Sequence, residues 1–358
     1  MLALADHFEP AIVPGDGQAR APYGEQERRL ERWCYQYPKV VEAWRDSDGR
    51  PFVHTYFYPA EQYDRGLIAR LADHCQAGWG EIEVHLHHGI PFPDTAANLR
   101  HTLASFRDAL AFEHGCLSSV DGEARPRFAF VHGNFALANT AGGFGCGVDE
   151  EMQVLAETGC FADLTMPTAP FHPSQGAKIN SLYECGPPLN EPAAYRSGPD
   201  LACGCVPTKF PLMIQGPLMF SFFSSGRRRV RIDNGSFTAS NPPTLARLQV
   251  WKRATISVQG RPDWLFIKLH CHGIDPTQED GVLGESFRNF LQSLVSGADE
   301  RGEILHFVSA REMVNVILAA CAGREGNPGD YRDYCFKPRR QSARYAAADN
   351  VSRAMGKA

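Results

Sequence analysis

The sequence predicts an α/β protein in which parallel strands alternate with helices. Three observations indicate this class: short apolar runs end in histidine or carboxylate residues, segments with apolar residues at helical spacing lie between them, and the order strand, loop, helix repeats. Strands joined by helices form mostly parallel sheets with right-handed crossovers. The polar residues that end several strands are therefore expected to meet at one edge of a sheet or barrel.

The first half of the chain supplies four strand signals and three helix signals. The predicted strands cover Leu2–His7 and residues 53–58, 82–88 and 127–132. The predicted helices cover residues 25–35, 61–75 and 95–112, each with apolar residues at helical spacing. Asp94 precedes the third helix, and we interpret it as the cap of that helix.

The second half continues the pattern after an interruption. A helix at 149–158 and a strand at 161–166 precede residues 167–243, which are rich in proline and glycine and predict a loop-rich insertion or lid. Regularity returns with helices at 244–257, 285–295 and 310–320 and strands at 264–270 and 304–308. We therefore expect one large domain over residues 1–325, followed by a carboxy-terminal tail at 326–358.

Composition limits the class of protein. The chain has 358 residues, 43% hydrophobic content and a net charge of −5, which permits a full core and argues against a nucleic-acid partner. No apolar run is long enough to span a bilayer, and charged residues interrupt the amino-terminal run where a signal peptide is apolar. Eleven scattered cysteines suit reduced thiols better than a disulfide framework. We expect a cytoplasmic protein.

The histidine pairs at two strand ends predict a metal site. In an extended strand alternate side chains share a face, so Glu83, His85 and His87 point one way, as do His270 and His272. Two imidazoles on one face of one strand are difficult to satisfy without an ion or an acid. Imidazole and carboxylate ligands suit Zn, Ni, Co or Fe.

Another strand end adds polar residues of a different kind. His132 and Asn134 follow alternate apolar residues of the strand at 127–132, and Asp163 lies on the next predicted strand. We expect His132 and Asn134 to bind polar groups of a substrate. Asp163 is expected to contribute to substrate binding, to hold a histidine in its tautomer, or to form a hydrogen bond in the core.

Several segments together resemble a group of bacterial proteins related to the polysaccharide deacetylases, of the NodB-like, glycoside hydrolase/deacetylase barrel superfamily. The resemblance extends from Met1 to about Arg332, and the segments are ADHFEP, TYFYPAEQYD, GEIEVHLHHG, FVHGNFAL, ETGCFADLTMPTAP, GRPDWLFIKLHCHG and LHFVSAREM. It implies an irregular (β/α) barrel of about seven strands with one divalent metal at the carboxyl ends.

The motifs match only in part. Deacetylases of this superfamily begin with a strand ending in two aspartates, whereas this chain has Asp6 followed by His7. Their His-Ser/Thr-x-x-His motif is replaced by the differently spaced histidines of HLHH. Their late Leu-x-His motif is similar to the segment from Leu269 to His272, with His270 added.

The expected function is metal-dependent removal of an acyl group, N-acetyl in particular, from a carbohydrate. The ion, zinc or else nickel or cobalt, would have as ligands Asp6, His7, His85 and His87. Asp6 is also the candidate general base. His272 or His270 would protonate the leaving amine, because imidazole titrates near working pH.

Two alternatives remain open. The chain is a glycosidase of the same superfamily if Asp6 faces Asp163 or Glu83 across a glycosidic bond. It is a carbohydrate-binding component of a polysaccharide assembly system, without catalysis, if backbone groups engage the histidines.

Overall fold

A single large sheet organises the chain. The structure is a computed structural model that describes residues 1–17, 19–169, 172–176, 178–186, 188–224 and 228–339. The strands, in chain order, are Leu2–His7 (β1), His54–Pro59 (β2), Gly80–Leu86 (β3), Ser118–Ser119 (β4), Phe128–His132 (β5), Cys160–Asp163 (β6), Leu182–Glu184 (β7), Leu212–Ile214 (β8), Met219–Ser224 (β9), Arg228–Asp233 (β10), Ile267–Cys271 (β11) and Lys337–Pro338 (β12).

Eight of these strands form the central sheet in the order β11-β1-β2-β3-β5-β6-β8-β7. All pairings are parallel except that of β7 with β8. The prediction of an α/β protein with a mostly parallel sheet is therefore confirmed. Parallel pairing places the carboxyl ends of β11, β1, β2, β3 and β5 side by side, because Ala5 pairs with His270 and Leu86 pairs with His132.

Helices connect most of the strands. They are Tyr23–Val41 (α1), Arg65–His74 (α2), Ala96–Asp108 (α3), Glu151–Thr158 (α4), Leu245–Lys252 (α5), Asp280–Leu283 (α6), Glu285–Ser296 (α7) and Ala310–Cys321 (α8). Asp64, Thr95 and Thr244 begin α2, α3 and α5 by accepting a backbone N–H with the side chain. Among the described residues, no helix has both the length and the apolar character needed to cross a membrane.

The sheet is buried on both faces. Leu4 of β1 belongs to the hydrophobic cluster that includes Trp33 of α1, whereas Ala5 belongs to the cluster that includes Met313 of α8. Every residue of α8 is buried. Because both faces are covered, strand residues pointing either way are buried, and sequence alternation alone does not show which face carries a site.

The predictions for three segments differ from the structure by more than the positions of element ends. Residues 167–243 are not wholly outside the sheet, because β7 and β8 belong to it; each has three residues, too few for a periodic signal. Residues 304–308 form only an isolated bridge between Phe307 and Leu2. The predicted tail packs on the domain as far as it is described, since β12 pairs with β4 and Phe336 is buried; its residues 340–358 lie outside the described residues.

Candidate metal centre

The end of β3 sends histidines to both faces of the sheet. His85 lies in β3, and His87 and His88 follow its last residue. Neighbouring residues of an extended segment point in opposite directions, so His85 and His87 share a face that His88 does not. The contacts agree with this alternation: His85 and His87 approach Glu9, whereas His88 contacts Glu151.

The carboxylate of Glu9 lies among imidazoles. Its Oε1 atom is 3.4 Å from Nε2 of His85 and 3.8 Å from Nε2 of His87. Nε2 of His272 is 3.9 Å from the same oxygen. The ring centroid of His7 is 4.9 Å from that of His85 and 4.7 Å from that of His272. These five residues, His7, Glu9, His85, His87 and His272, lie at or just beyond the carboxyl ends of β1, β3 and β11. We name them the Glu9 centre.

Two of these imidazoles have a fixed tautomer. Nδ1 of His85 lies 2.8 Å from the carbonyl oxygen of Val131, and Nδ1 of His87 lies 2.7 Å from Oε1 of Glu61. Both partners only accept hydrogen bonds, so in the neutral rings each Nδ1 carries the proton and each Nε2 has a free lone pair. Nε2 of His85 is buried and has no hydrogen-bond partner among the residues that the structure describes. An imidazole held by its second nitrogen in this way is typical of metal ligands.

The electrostatics favour a charged Glu9 and a neutral His7, whereas Glu61 and Glu9 raise the pKa of His87 against the effect of burial. Burial alone would raise the pKa of Glu9, but the imidazoles around it, His85 foremost, lower that pKa to about 2. Burial lowers the pKa of His7 well below its usual value, and the neighbouring imidazoles lower it further. The centre therefore presents an ionised oxygen ligand beside a neutral nitrogen donor.

His272 and His270 differ from the two fixed histidines. The side chain of His272 is 38% exposed and makes no side-chain hydrogen bond with any residue that the structure describes. His270 is buried, and no residue in the described part of the chain forms a hydrogen bond with its Nδ1. Burial, and then the charge of Lys268, lower the pKa of His270 well below its usual value. The two rings therefore differ in environment: His272 reaches solvent, whereas His270 is buried.

Asp6 does not join the Glu9 centre. Its side chain lies on the face of β1 opposite His7, where Oδ2 accepts a hydrogen bond of 2.8 Å from Nε2 of His54. Oδ1 accepts a hydrogen bond of 2.6 Å from the backbone N–H of Gly273. Asp6 is therefore not placed to share an ion with His7, His85 and His87. It belongs to a separate group with His54 and Cys271, whose donor atoms lie within 4.8 Å of one another, and its roles as ligand and general base stay predictions. Asp6 also fixes the turn that follows His272.

The three predicted substrate-binding residues also lie away from the Glu9 centre. His132 and Asp163 share the face of the sheet opposite the Glu9 centre. Asp163 pairs with Phe130, which belongs to the hydrophobic cluster that includes Trp33, and His132 lies two residues after Phe130 on the same face. Asp163 accepts hydrogen bonds from the backbone and the hydroxyl of Thr165. The Asn134 side chain donates to backbone carbonyl oxygens, at 2.8 Å and 3.1 Å. Asp163 and Asn134 thus have structural partners.

His132 belongs to a second group, which we name the Cys146 cluster. Its four members, all nearly inaccessible to solvent, are His88, His132, Cys146 and Glu151. Nε2 of His88 is 3.1 Å from Nε2 of His132 and 3.0 Å from Oε1 of Glu151. Asp94, interpreted above as a helix cap, accepts from Nδ1 of His88 at 2.9 Å. Its position in sequence suggested the cap, but Thr95 caps α3.

The carboxylate pairs expected of a glycosidase are not formed. Asp6 and Asp163 have the separate partners described above. Glu83 is buried and accepts a hydrogen bond of 2.6 Å from the backbone N–H of Ala129. Burial raises the pKa of Glu83 well above its usual value, which favours a neutral carboxyl group in the core.

Four functional candidates were not predicted from the sequence, namely Glu9, Glu61, Cys146 and Glu151. Glu9 and Glu61 stand two residues beyond the ends of β1 and β2, so the alternation rule extended past each strand would have found them. Cys146 lies in the glycine-rich loop between β5 and α4, and Glu151 is the first residue of α4. No local pattern in the sequence marks these two.

Aromatic rings border the Glu9 centre. The ring of Phe135 lies 5.9 Å from that of His7, and the ring of His172 lies 6.4 Å from that of Phe135. Phe135 and His172 are partly exposed. They form a partly exposed aromatic edge beside the centre.

Comparisons of this chain with protein-family models, with curated proteins and with solved structures found no match.

Proposed function

We propose that this chain is a metal-dependent hydrolase that removes an acyl group, N-acetyl in particular, from a carbohydrate. One observation carries the metal-dependent part. His85 and His87 are each held through Nδ1 by an acceptor and direct Nε2 toward the buried carboxylate of Glu9. Fixed imidazoles and an ionised carboxylate with converging donor atoms fit a divalent ion.

The residues that would hold the ion are His7, Glu9, His85 and His87. Three nitrogen donors and one oxygen donor suit Zn²⁺, and also Ni²⁺ or Co²⁺. An ion would also give the buried Nε2 of His85 the partner that it lacks. When bound, such an ion makes water more acidic and polarises an acyl oxygen.

His272 is the proposed proton-transfer group. It lies beside the proposed ligands. Hydrogen bonds at Nδ1 fix the rings of His85 and His87, whereas no described residue forms such a bond with the ring of His272. A partly exposed imidazole can take a proton from water and release it to a leaving amine. His270, whose Nδ1 is buried and without a partner, is the second residue that can accept that proton. Asp6 positions this segment through the N–H of Gly273.

The carbohydrate part of the proposal rests on the resemblance to the deacetylases and on a barrel shape of the sheet. Two contacts support such a barrel. Nζ of Lys268 in β11 donates to the carbonyl oxygens of Leu164 and Met166, which follow β6, at 2.7 Å and 2.6 Å. Gly216, which follows β8, lies so close to the carbonyl of Lys268 that a Cβ atom there would overlap it. These contacts join β11 to the segments that follow β6 and β8, and they support the proposal of a closed sheet.

The proposal is tested by metal content and by release of acetate. Zinc, nickel and cobalt are measured in the wild type and in His87→Ala, and both proteins are assayed on N-acetylated and O-acetylated sugars. We expect His87→Ala to lose one metal equivalent and its turnover. The matched control is His101→Ala, which changes an exposed histidine of α3 and should retain both.

Two results would overturn the proposal. Equal metal content in wild type and His87→Ala would show that the metal is not bound at the Glu9 centre. A normal metal content without hydrolysis of any acylated sugar would refute the reaction. Binding of the sugar in that case would favour the role as a component of polysaccharide assembly.

A further inference from the structure

We propose that the Cys146 cluster binds a second divalent ion, of the zinc type, with a structural role. The ligands are Nε2 of His88, Oε1 of Glu151 and Sγ of Cys146, and His132 supplies the fourth donor. One donor atom from each of these four residues lies within 4.8 Å of all the others. Two nitrogens, one oxygen and one sulfur form a donor set that zinc accepts in tetrahedral sites.

Contacts outside the cluster hold each of the first three donors. Asp94 accepts from Nδ1 of His88 at 2.9 Å, so Nε2 of a neutral His88 has its lone pair directed inward. The backbone N–H of Ala138 donates to Oε2 of Glu151 at 2.6 Å, which leaves Oε1 facing the histidines. The N–H of Val148 approaches Sγ of Cys146 at 3.4 Å.

His132 requires the movement of one proton. Its Nδ1 accepts a hydrogen bond of 3.2 Å from the N–H of Asn134, so the neutral ring carries its proton on Nε2, toward His88 and Glu151. Binding through Nε2 moves that proton to Nδ1 and breaks the contact with Asn134. Without an ion, Nε2 of His88 and Nε2 of His132 stand 3.1 Å apart, and at least one must carry a proton.

Protons are the alternative occupants of the cluster. Burial would lower the pKa of His88, but Asp94, Cys146 and Glu151 raise it to about 12. Burial and Glu151 raise the pKa of the Cys146 thiol, whose sulfur is 3.4 Å from Oε2 of Glu151. An imidazolium with a thiol, or a metal ion with a thiolate, are therefore the two states that the experiment must separate.

The second ion would connect four segments of the chain. His88 follows β3, His132 ends β5, Cys146 lies in the glycine-rich loop, and Glu151 begins α4. The same loop carries Phe135, whose ring borders the Glu9 centre. All four members of the cluster are buried, which fits an ion that fixes structure and does not meet substrate.

Cobalt distinguishes the two sites because sulfur is present in only one of them. The metal-free full-length protein is titrated with Co²⁺, and the thiolate-to-cobalt charge-transfer band in the near ultraviolet is followed together with bound cobalt per chain. We expect two equivalents and a charge-transfer band in the wild type. Cys146→Ser should lose the band and one equivalent, whereas His87→Ala should lose one equivalent and retain the band.

Two controls address the other thiols. Cys271→Ser removes a buried thiol of the separate group around Asp6 and His54. The double variant of the exposed Cys203 and Cys205, each changed to serine, removes adventitious surface ligands. Both controls should retain the band.

The proposal is overturned if the wild type binds cobalt without the band, because the cluster then holds protons only. It is also overturned if the band is lost in either control and retained in Cys146→Ser. The wild-type spectrum and stoichiometry separate the metal-bound state from the protonated state even if Cys146→Ser does not fold. The result is different if only the Glu9 centre fails to bind metal. The wild type then binds one equivalent of cobalt and shows the band, and His87→Ala changes neither.

Discussion

Replacing Glu61 by glutamine tests whether the Glu9 centre is a metal site without touching a ligand. Oε1 of Glu61 accepts from Nδ1 of His87 at 2.7 Å, and Oε2 accepts from the backbone N–H of His87 at 3.2 Å. Glutamine keeps the shape but has no charge, and its NH₂ group cannot accept the second hydrogen bond. Removing such a partner of a ligating histidine costs about 10- to 100-fold in metal affinity, or about 1.4 to 2.8 kcal/mol.

The structure favours the lower end of that range. The side chain of Glu61 is 25% exposed, so solvent screens part of its charge, and we expect a loss of about tenfold. Zinc affinity is measured by competition with a chromophoric chelator in wild type, Glu61→Gln and the control Glu27→Gln, which alters a carboxylate on α1 that pairs with Arg70. An affinity of Glu61→Gln equal to that of the control would refute the assignment of His87 as a ligand.

Three further predictions address proton transfer, steric fit and pH. His272→Ala should keep the metal but lose about 100-fold or more in turnover of an N-acetylated sugar, as expected for general acid-base catalysis; loss of the metal would make His272 a ligand. Gly133→Ala should reduce metal affinity in the chelator assay, because a Cβ at Gly133 would overlap the ring of His87; unchanged affinity would show that the ring can move without loss. Burial raises the pKa of Asp163 to about 7 in the folded state, so the folded protein holds that proton more tightly and loses stability as pH rises from about 4 to about 7. The free energy of unfolding is measured with urea for wild type and Asp163→Asn. Between pH values of about 4 and about 7 the wild type should lose at most about 4 kcal/mol more than the variant. An equal change in the two proteins would contradict the raised pKa of Asp163.

Alternation along a strand predicted part of the site well. The pairing of His85 with His87, and of His270 with His272, follows from the two-residue period of an extended chain. The same rule applied past the end of β1 leads to Glu9, two residues after His7. Because these relations are local, they can be read from the sequence without knowledge of the neighbouring strands.

The choice of face was not predictable in the same way. Asp6 and His7 are adjacent, both are buried, and the sheet has a hydrophobic cluster on each side. The sequence therefore does not distinguish a solvent-exposed face of the strand from a buried face. For the same reason His132 and Asp163 were predicted to bind substrate, although their partners lie on the face of the sheet opposite the Glu9 centre.

Contacts between distant segments were the other limit. Cys146 and Glu151 meet His88 only because the glycine-rich loop folds back on the end of β3, as shown by the hydrogen bond from the N–H of Gly145 to the carbonyl of Gly89. Loop geometry of this kind depends on positive φ angles, such as the 75° of Gly145, that glycine permits but does not dictate. The glycine content of the segment is typical of a loop, but it does not show which strand end the loop contacts.

The pleat of β3 explains how one short segment serves two centres. Leu86 pairs with His132 in β5, and His85 pairs with Pro59 of β2, so neighbours on both sides fix the register of the strand. With the register fixed, His87 must face the Glu9 centre and His88 must face the Cys146 cluster. Shifting β3 by one residue in either direction would exchange the two faces and replace His85 of the Glu9 centre by Val84 or Leu86. The assignment of these ligands therefore depends on the sheet as a whole, and the HLHH sequence alone does not determine it.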